Sequence, residues 1–155
     1  MPTLIESADQ ADVIALIAEL DAYQDTLYPP ESRYSLDLAS LKKSNVRFAV
    51  ARDDSGQAIG CGAVVLYESY GELKRMYVRP QNRGQGVARA VLTLLEQAAG
   101  QAGCTSFRLE TGPYSADALA FYARSGYAPC ARYGDYKDDP LSVFMRKDVA
   151  SMTGT

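Results

Sequence analysis

The chain has 155 residues, 47% of them hydrophobic and 23% charged, which suits one ordinary globular domain with a sizeable core. Its 16 basic and 19 acidic residues give a net charge of −3, and this argues against a nucleic-acid partner because phosphate binding requires clustered positive charge. The absence of histidine excludes Ser-His-Asp and Cys-His catalysis and every histidine-based metal site.

The cysteines and the apolar runs exclude further classes. Cys61, Cys104 and Cys130 are odd in number, widely spaced and form no CxxC pair, so we expect free thiols rather than a zinc site or a disulfide framework. No apolar run is long enough to span a bilayer, and the N-terminus lacks the features of a signal peptide. These observations predict a cytoplasmic protein with no membrane partner.

The predicted elements alternate between strands and helices. In chain order they are a strand at 3–7, a helix carrying Val13, Leu16, Ile17 and Leu20, a short helix at 35–43, strands at 46–52, 58–68 and 71–79, a helix from Val87 to about Gly100, a strand at 105–111, a helix at 115–126 and a hairpin at 127–133 and 141–147. The strand–helix–strand unit at 73–111 predicts one parallel pair in a largely antiparallel sheet. We therefore expect one α/β domain over residues 1–149 and a disordered tail at 150–155.

Two of these elements carry finer predictions. Strict alternation in the strand at 71–79 predicts one face carrying Leu73, Arg75, Tyr77 and Arg79 and another carrying Glu72, Lys74, Met76 and Val78. Ser115 is a natural N-cap for the helix that follows it.

A glycine-rich turn, "PQNRGQGVARAV" at 80–91, joins a predicted strand to a predicted helix. Backbone N–H groups at a helix N-terminus have no intrahelical partner, and glycines let an anion approach them closely. A Walker loop would require Lys and Ser/Thr where Val87 and Ala88 stand, and a Rossmann fingerprint would require glycine in place of Arg89.

The segment "ELKRMYVRPQNRGQGVARAVL" resembles the acetyl-CoA site of the GNAT N-acetyltransferase superfamily, in its bacterial small-molecule branch. The stretch Gln81-Asn82-Arg83-Gly84-Gln85-Gly86 matches the pyrophosphate signature Gln/Arg-x-x-Gly-x-Gly/Ala, and "ALAFYARSGY" at 118–127 resembles the second signature. The resemblance extends from about residue 46 to 145 and implies a single GNAT-like domain with helices on both faces of a mixed sheet.

The resemblance also assigns roles to residues. It implies that Tyr122 is the general acid and Glu72 a general base, although Tyr122 could instead be a core aromatic and Glu72 a structural partner of Lys74 or Arg75. Ser115 stands where the family often has an asparagine that contacts the cofactor. The cofactor-binding residues that it implies are Met76, Tyr77, Val78, Gln81, Arg83, Gly84, Gln85, Gly86, Val87, Ala88, Ser115 and Tyr122.

The function so implied is transfer of an acetyl group from acetyl-CoA to a primary amine of a small molecule, by direct attack in a ternary complex and without a metal. Homodimers are common in the family. The acceptor pocket would be walled by the tyrosine-rich segments near 23–35 and 133–140, with Arg33 or Arg132 available to hold a carboxylate. The alternatives are transfer from a larger acyl-CoA, a non-catalytic acyl-CoA sensor or interaction module, and a nucleotide-binding domain.

Overall fold

This computed structural model describes residues 2–32 and 36–149, which contain seven strands and four α-helices joined by turns and loops. The strands are β1 (Thr3–Ile5), β2 (Val46–Arg52), β3 (Ala58–Leu66), β4 (Gly71–Val78), β5 (Ser106–Thr111), β6 (Ala128–Pro129) and β7 (Val143–Asp148). The helices are α1 (Ala11–Leu27), α2 (Leu38–Leu41), α3 (Val87–Gln101) and α4 (Ala116–Arg124). The predicted disordered tail at 150–155 lies outside the described residues.

The strands form one mixed sheet in the order β1-β2-β3-β4-β5-β7-β6. Neighbouring strands are antiparallel except for β4 and β5, which run parallel and pair only from Gly71 to Leu73 and from Phe107 to Leu109. Beyond these residues the two strands separate, and the separation opens the centre of the sheet. The predicted α/β class, with one central parallel pair, is confirmed, although the last hairpin is shorter on its first strand than predicted.

Helices cover both faces of the sheet and bury a separate apolar cluster on each. On one face α3 buries Val87, Val91 and Leu95, and on the other α1 buries Val13 and Leu16. Each fully buried side chain of this size contributes roughly 1.5–3 kcal/mol, so these clusters fix both helices on the sheet. None of the described helices has the length and apolar character needed to cross a membrane.

A β-bulge interrupts β4. The register with β3 shifts between Cys61, whose partner is Tyr77, and Ala63, whose partner is Lys74. Two residues of β4 therefore stand opposite one residue of β3, as in a bulge. Arg75, one of these two, has a φ of +59° and is the only described non-glycine residue with a positive φ.

The bulge makes the predicted alternation along β4 wrong. Leu73 packs in the α3 cluster, as do Met76 and Val78, whereas Tyr77 packs against the α1 cluster. An inserted residue shifts the period-two pattern by one, so residues after the bulge exchange faces. The sequence pattern carries no glycine at this point to signal the change.

Candidate active site

A cavity of about 890 Å³ lies where β4 and β5 separate. Its wall combines β4 and β5 with the glycine turn, the first turn of α3, one side of α4 and the C-terminal half of α1. The elements that carry both predicted motifs therefore meet at a single site.

The glycine turn presents backbone N–H groups to this cavity. Gly84 and Gly86 have φ of +77° and +82°, and a Cβ on either would meet nothing within 4 Å. The first hydrogen bond of α3 runs from the N–H of Ala90 to the carbonyl of Gly86 at 3.0 Å, so the three preceding N–H groups have no partner within the helix. The turn thus offers an open, positively polarised surface for an anion.

Most of the predicted cofactor-binding residues lie on the cavity wall. These are Met76, Tyr77, Val78, Arg83, Gly84, Gly86, Val87, Ala88, Ser115 and Tyr122. Gln81 and Gln85 are exposed and lie outside the wall. Arg83 donates from Nε to the carbonyl of Val78 at 3.2 Å and stacks its guanidinium over the Tyr23 ring at 5.8 Å.

Tyr122 lies on the wall between α4 and the sheet. Its ring packs edge-on against Tyr127 at 5.6 Å and tilted against Phe121 at 5.2 Å. Burial raises the pKa of its hydroxyl above the ordinary value, so the group stays protonated in neutral solution. Burial is the sole cause of this shift, with no contribution from a hydrogen bond to another described residue, and Tyr122 lines the cavity.

Ser115 holds the predicted N-cap position of α4, but its side chain makes no capping bond. Its Oγ lies 2.9 Å from the hydroxyl of Tyr28, which also accepts from the N–H of Tyr114 at 3.0 Å. A Cβ at Gly112 would overlap the Tyr28 ring, so this glycine allows the contact. Because Tyr28 accepts from Tyr114, it can donate to Ser115 and leave the serine proton available for another partner.

Glu72 is buried and lies off the described cavity wall. Its Oε2 accepts from the hydroxyls of Tyr133 at 2.8 Å and Tyr136 at 2.6 Å. Lys74 donates from Nζ to the Tyr136 hydroxyl at 2.7 Å and lies 3.9 Å from Glu72 Oε2. Since Lys74 is on the wall, Glu72 connects to the cavity through this hydrogen-bond chain and through its ion pair with Lys74.

Glu110, at the end of β5, was not predicted and is a carboxylate on the wall itself. Burial raises its pKa to about 7, against a smaller lowering by the hydroxyl of Ser142, which donates to Oε2 at 2.8 Å. The alternation of Phe107 and Leu109 is a signal in the sequence that would have placed Glu110 on the opposite face of β5. The missing information was the separation of β4 from β5, which no local pattern encodes.

Lys74 is the second wall residue that was missed. Its side chain is 13% exposed, and burial lowers the pKa of its ammonium below the ordinary value, while Glu72 and Glu110 oppose that shift.

The tyrosines that were predicted to wall the acceptor pocket lie in two different places. Tyr23 and Tyr28 line the cavity, and Tyr133 and Tyr136 surround Glu72 instead.

Of the two arginines predicted to hold a carboxylate, the one within the described residues, Arg132, does not line the described wall. Arg132 lies 3.6 Å from the exposed Asp138 and away from the cavity. Arg33 and Tyr34 lie outside the described residues. Within residues 2–32 and 36–149, no group of three or more acidic or cysteine side chains is arranged to hold a metal ion.

Comparison with known proteins agrees with this architecture. The model of the acetyltransferase (GNAT) family matches residues 14–127. The IAA acetyltransferase of Azospirillum brasilense is 46% identical over 146 residues, which cover 93% of this chain and 95% of that protein.

Two solved structures are similar over nearly the whole chain. A crystal structure from Klebsiella pneumoniae, described as an acyl-CoA N-acyltransferase, has a TM-score of 0.86 and 41% identity, covering 96% of this chain and 97% of its own. The PaiA N-acetyltransferase of Thermoplasma acidophilum, crystallised with coenzyme A, has a TM-score of 0.71, covering 96% and 99% of the two chains. Its identity of 19% limits that likeness to the fold.

The family match spans both signature motifs, and the first of these relatives is similar over nearly its whole length. The chain therefore belongs to the GNAT acetyltransferase family and is an N-acetyltransferase.

Proposed function

We propose that the protein transfers an acetyl group from acetyl-CoA to a primary amine of a small molecule, by direct attack of the amine in a ternary complex. The observation that carries this proposal is the single cavity that joins the glycine turn, Tyr122 and Glu110. A donor held at the turn and an acceptor held at β5 would meet in the gap between β4 and β5.

The donor would be held mainly by backbone. The N–H groups between Arg83 and Ala88 would bind the pyrophosphate of coenzyme A, with the Arg83 side chain adding a charge-assisted contact. The backbone from Met76 to Val78 would hold the pantetheine arm. An N–H group of this strand would stabilise the negative charge that develops on the thioester oxygen. Ser115 would donate its free hydroxyl proton to the same cofactor.

Proton transfer would use two groups at opposite ends of the reacting bonds. Glu110 would accept the proton of the acceptor ammonium, because a carboxylate with a pKa of about 7 is half deprotonated in neutral solution. As the nitrogen–carbon bond forms and the carbon–sulfur bond breaks, Tyr122 would protonate the departing thiolate, and the second proton lost by the nitrogen would restore the Tyr122 hydroxyl. Glu72 stays a second candidate base, acting through Tyr136 and Lys74 rather than directly.

The cysteines favour direct attack over an acyl-enzyme. Burial raises the pKa of Cys61 to about 12, and burial also raises those of Cys104 and Cys130. None of the three lies on the described cavity wall. A thiol nucleophile requires the thiolate, so these cysteines are unsuited to carry the acetyl group.

The test is an amine panel with acetyl-CoA, in which released thiol is measured at varied concentrations of both substrates. Direct attack predicts initial-rate plots that intersect, whereas an acyl-enzyme predicts parallel lines. Propionyl-CoA and succinyl-CoA, used in parallel, measure the preference for the acyl chain. Tighter binding of ATP or NAD than of coenzyme A would contradict the proposal.

A further inference from the structure

The bulge in β4 places two consecutive cationic side chains, Lys74 and Arg75, on the cavity wall. A strand without a bulge would direct consecutive side chains to opposite faces. The bulge requires a φ of +59° at Arg75. This left-handed backbone conformation costs any L residue roughly 1–2 kcal/mol. The bulge therefore brings both cations to the cavity wall through a backbone conformation that no other described non-glycine residue adopts.

Arg75 is nearly buried and only partly satisfied by the protein. Its side chain is 7% exposed, and Nη1 and Nη2 donate to the two carboxylate oxygens of Asp21 on α1 at 2.7 and 3.2 Å. Nε has no hydrogen-bond partner among the described residues. Asp21 thus occupies the end of the guanidinium, while Nε–H is buried from solvent and lacks an acceptor among the described residues. A buried donor of this kind is costly unless a ligand or water accepts its bond.

The opposite side of the gap carries the complementary charge. The charged side chains that α1, β4 and β5 contribute to the described wall are Lys74, Arg75 and Glu110. Glu110 and Lys74 interact electrostatically, each shifting the titration of the other. Asp21 pairs with Arg75, and Glu72 lies 3.9 Å from Lys74. Both signs of charge therefore stand at the gap, so a molecule with both an ammonium and an anion would find a partner for each, whereas a plain alkylammonium would use only the carboxylate.

We propose that the acceptor is an amino acid, whose carboxylate binds the ammonium of Lys74 beside the guanidinium of Arg75 while its amine faces Glu110. This inference rests on the proposed acetyl transfer and adds the class of acceptor to it. Arg75 and Lys74 are then specificity-determining residues, and the strained bulge is the feature that positions them. The spacing between amine and carboxylate is a quantity that the experiment measures.

The experiment compares kcat/KM for matched acceptors that differ only at the carboxylate. Amino acids of increasing separation between amine and carboxylate are each paired with their carboxamide and with the alkylamine that lacks the group. We expect the preferred amino acid to exceed its carboxamide by about 10- to 100-fold, because one buried charge-assisted hydrogen-bond site is lost. Lys74→Met and Arg75→Lys should each reduce this ratio, and Lys42→Met, at an exposed surface site, should leave it unchanged.

The outcomes separate this inference from the acetyltransferase proposal. If amino acids, carboxamides and alkylamines are all acetylated at similar kcat/KM, or if alkylamines are preferred, the inference is overturned and the proposed function stands. If acetyl-CoA binds and none of the amines releases thiol, the proposed function itself fails, and the inference fails with it. Because the ratio is first measured in the wild type, a variant that does not fold leaves the test decisive.

Discussion

The two ends of the cavity are built in different ways. At the glycine turn, the groups that face the cavity are backbone N–H groups of consecutive residues, held by the positive φ of Gly84 and Gly86. At the β4–β5 gap, the facing groups are side chains from two strands, Lys74 and Arg75 of β4 and Glu110 of β5. We refer to these as the donor end and the acceptor end, following the proposed function.

This difference decides what a change at each end should do. Backbone groups cannot be removed by substitution, so the donor end is best disrupted by filling the space in front of them. Side chains can be removed one at a time, so the acceptor end can be dissected residue by residue. Changes at the glycine turn should therefore abolish cofactor binding or leave it intact, whereas changes to side chains should reduce activity in degrees.

The largest effect is expected from Gly86→Asp at the donor end. The added carboxylate would occupy the open space at the turn, where it would repel a pyrophosphate and compete for the N–H groups. Placing like charges together costs several kcal/mol, so we expect affinity for coenzyme A to fall by about 1,000-fold or more. Isothermal titration calorimetry with coenzyme A measures this directly.

Gly56→Asp is the matched control. Gly56 has the same φ of +82° as Gly86, and a Cβ there also meets nothing within 4 Å, but it lies in the β2–β3 turn. Both variants should lose about 1 kcal/mol of unfolding free energy from the left-handed backbone. If Gly56→Asp weakened coenzyme A binding as much as Gly86→Asp, the loss would reflect folding rather than the site.

The same contrast explains how much could be predicted from the sequence. The donor end lies in one short segment, and a turn between a strand and a helix predicts its own geometry. Gly84, Gly86 and Arg83 were predicted and lie on the cavity wall. The fold class followed for the same reason, since periodicity and turn residues are local.

The acceptor end was predicted poorly because its geometry depends on contacts between distant residues. The bulge at Arg75 is fixed by the register with β3 and by Asp21 on α1, and neither is visible in a run of β4 residues. Glu110 faces the cavity only because β4 and β5 stop pairing after Leu73 and Leu109. The periodicity of residues within one strand does not show where the neighbouring strand stops pairing with it.

Glu110→Gln should produce the next largest effect. The amide keeps an oxygen that can accept from Ser142 but cannot accept a proton, so kcat/KM should fall by about 100- to 1,000-fold. The base works only when deprotonated and its pKa is about 7, so wild-type kcat/KM should rise with pH through neutrality and level off above it. The variant should lack this rise, which a pH series of initial rates would show.

Two further measurements accompany this variant. Glu72→Gln should cost much less activity, because the oxygen of the introduced amide would still accept from Tyr133 and Tyr136. A larger loss in Glu72→Gln than in Glu110→Gln would make Glu72 the base. The folded pKa of Glu110 exceeds the ordinary carboxyl value of 4.5, so the folded state binds the extra proton and wild-type stability falls as pH rises from about 4.5 to 7. Above pH 7, urea unfolding should find Glu110→Gln more stable by at most about 3 kcal/mol.

Tyr122→Phe should reduce kcat by about 100-fold, because the thiolate would leave without a proton donor. The fold should persist, since the ring keeps its contacts with Phe121 and Tyr127. Tyr127→Phe is the control, because the hydroxyl of Tyr127 donates to Glu96 at 2.7 Å rather than facing the cavity. An unchanged kcat in Tyr122→Phe would reduce Tyr122 to a core aromatic.

The smallest expected effect tests whether the side chain of Ser115 belongs to the donor end. Ser115→Ala removes a hydroxyl that contacts Tyr28 and, in the proposed function, donates to the cofactor. Losing one such bond should weaken coenzyme A binding by about 3- to 10-fold. Tyr28→Phe removes the same intramolecular hydrogen bond and leaves the serine hydroxyl in place. It should lower the free energy of unfolding by about 1 kcal/mol, while coenzyme A affinity stays within about a factor of two. Equal calorimetric affinities in the two variants would assign Ser115 to the contact with Tyr28 alone, and the donor end would then consist of backbone N–H groups, Arg83 and Tyr122.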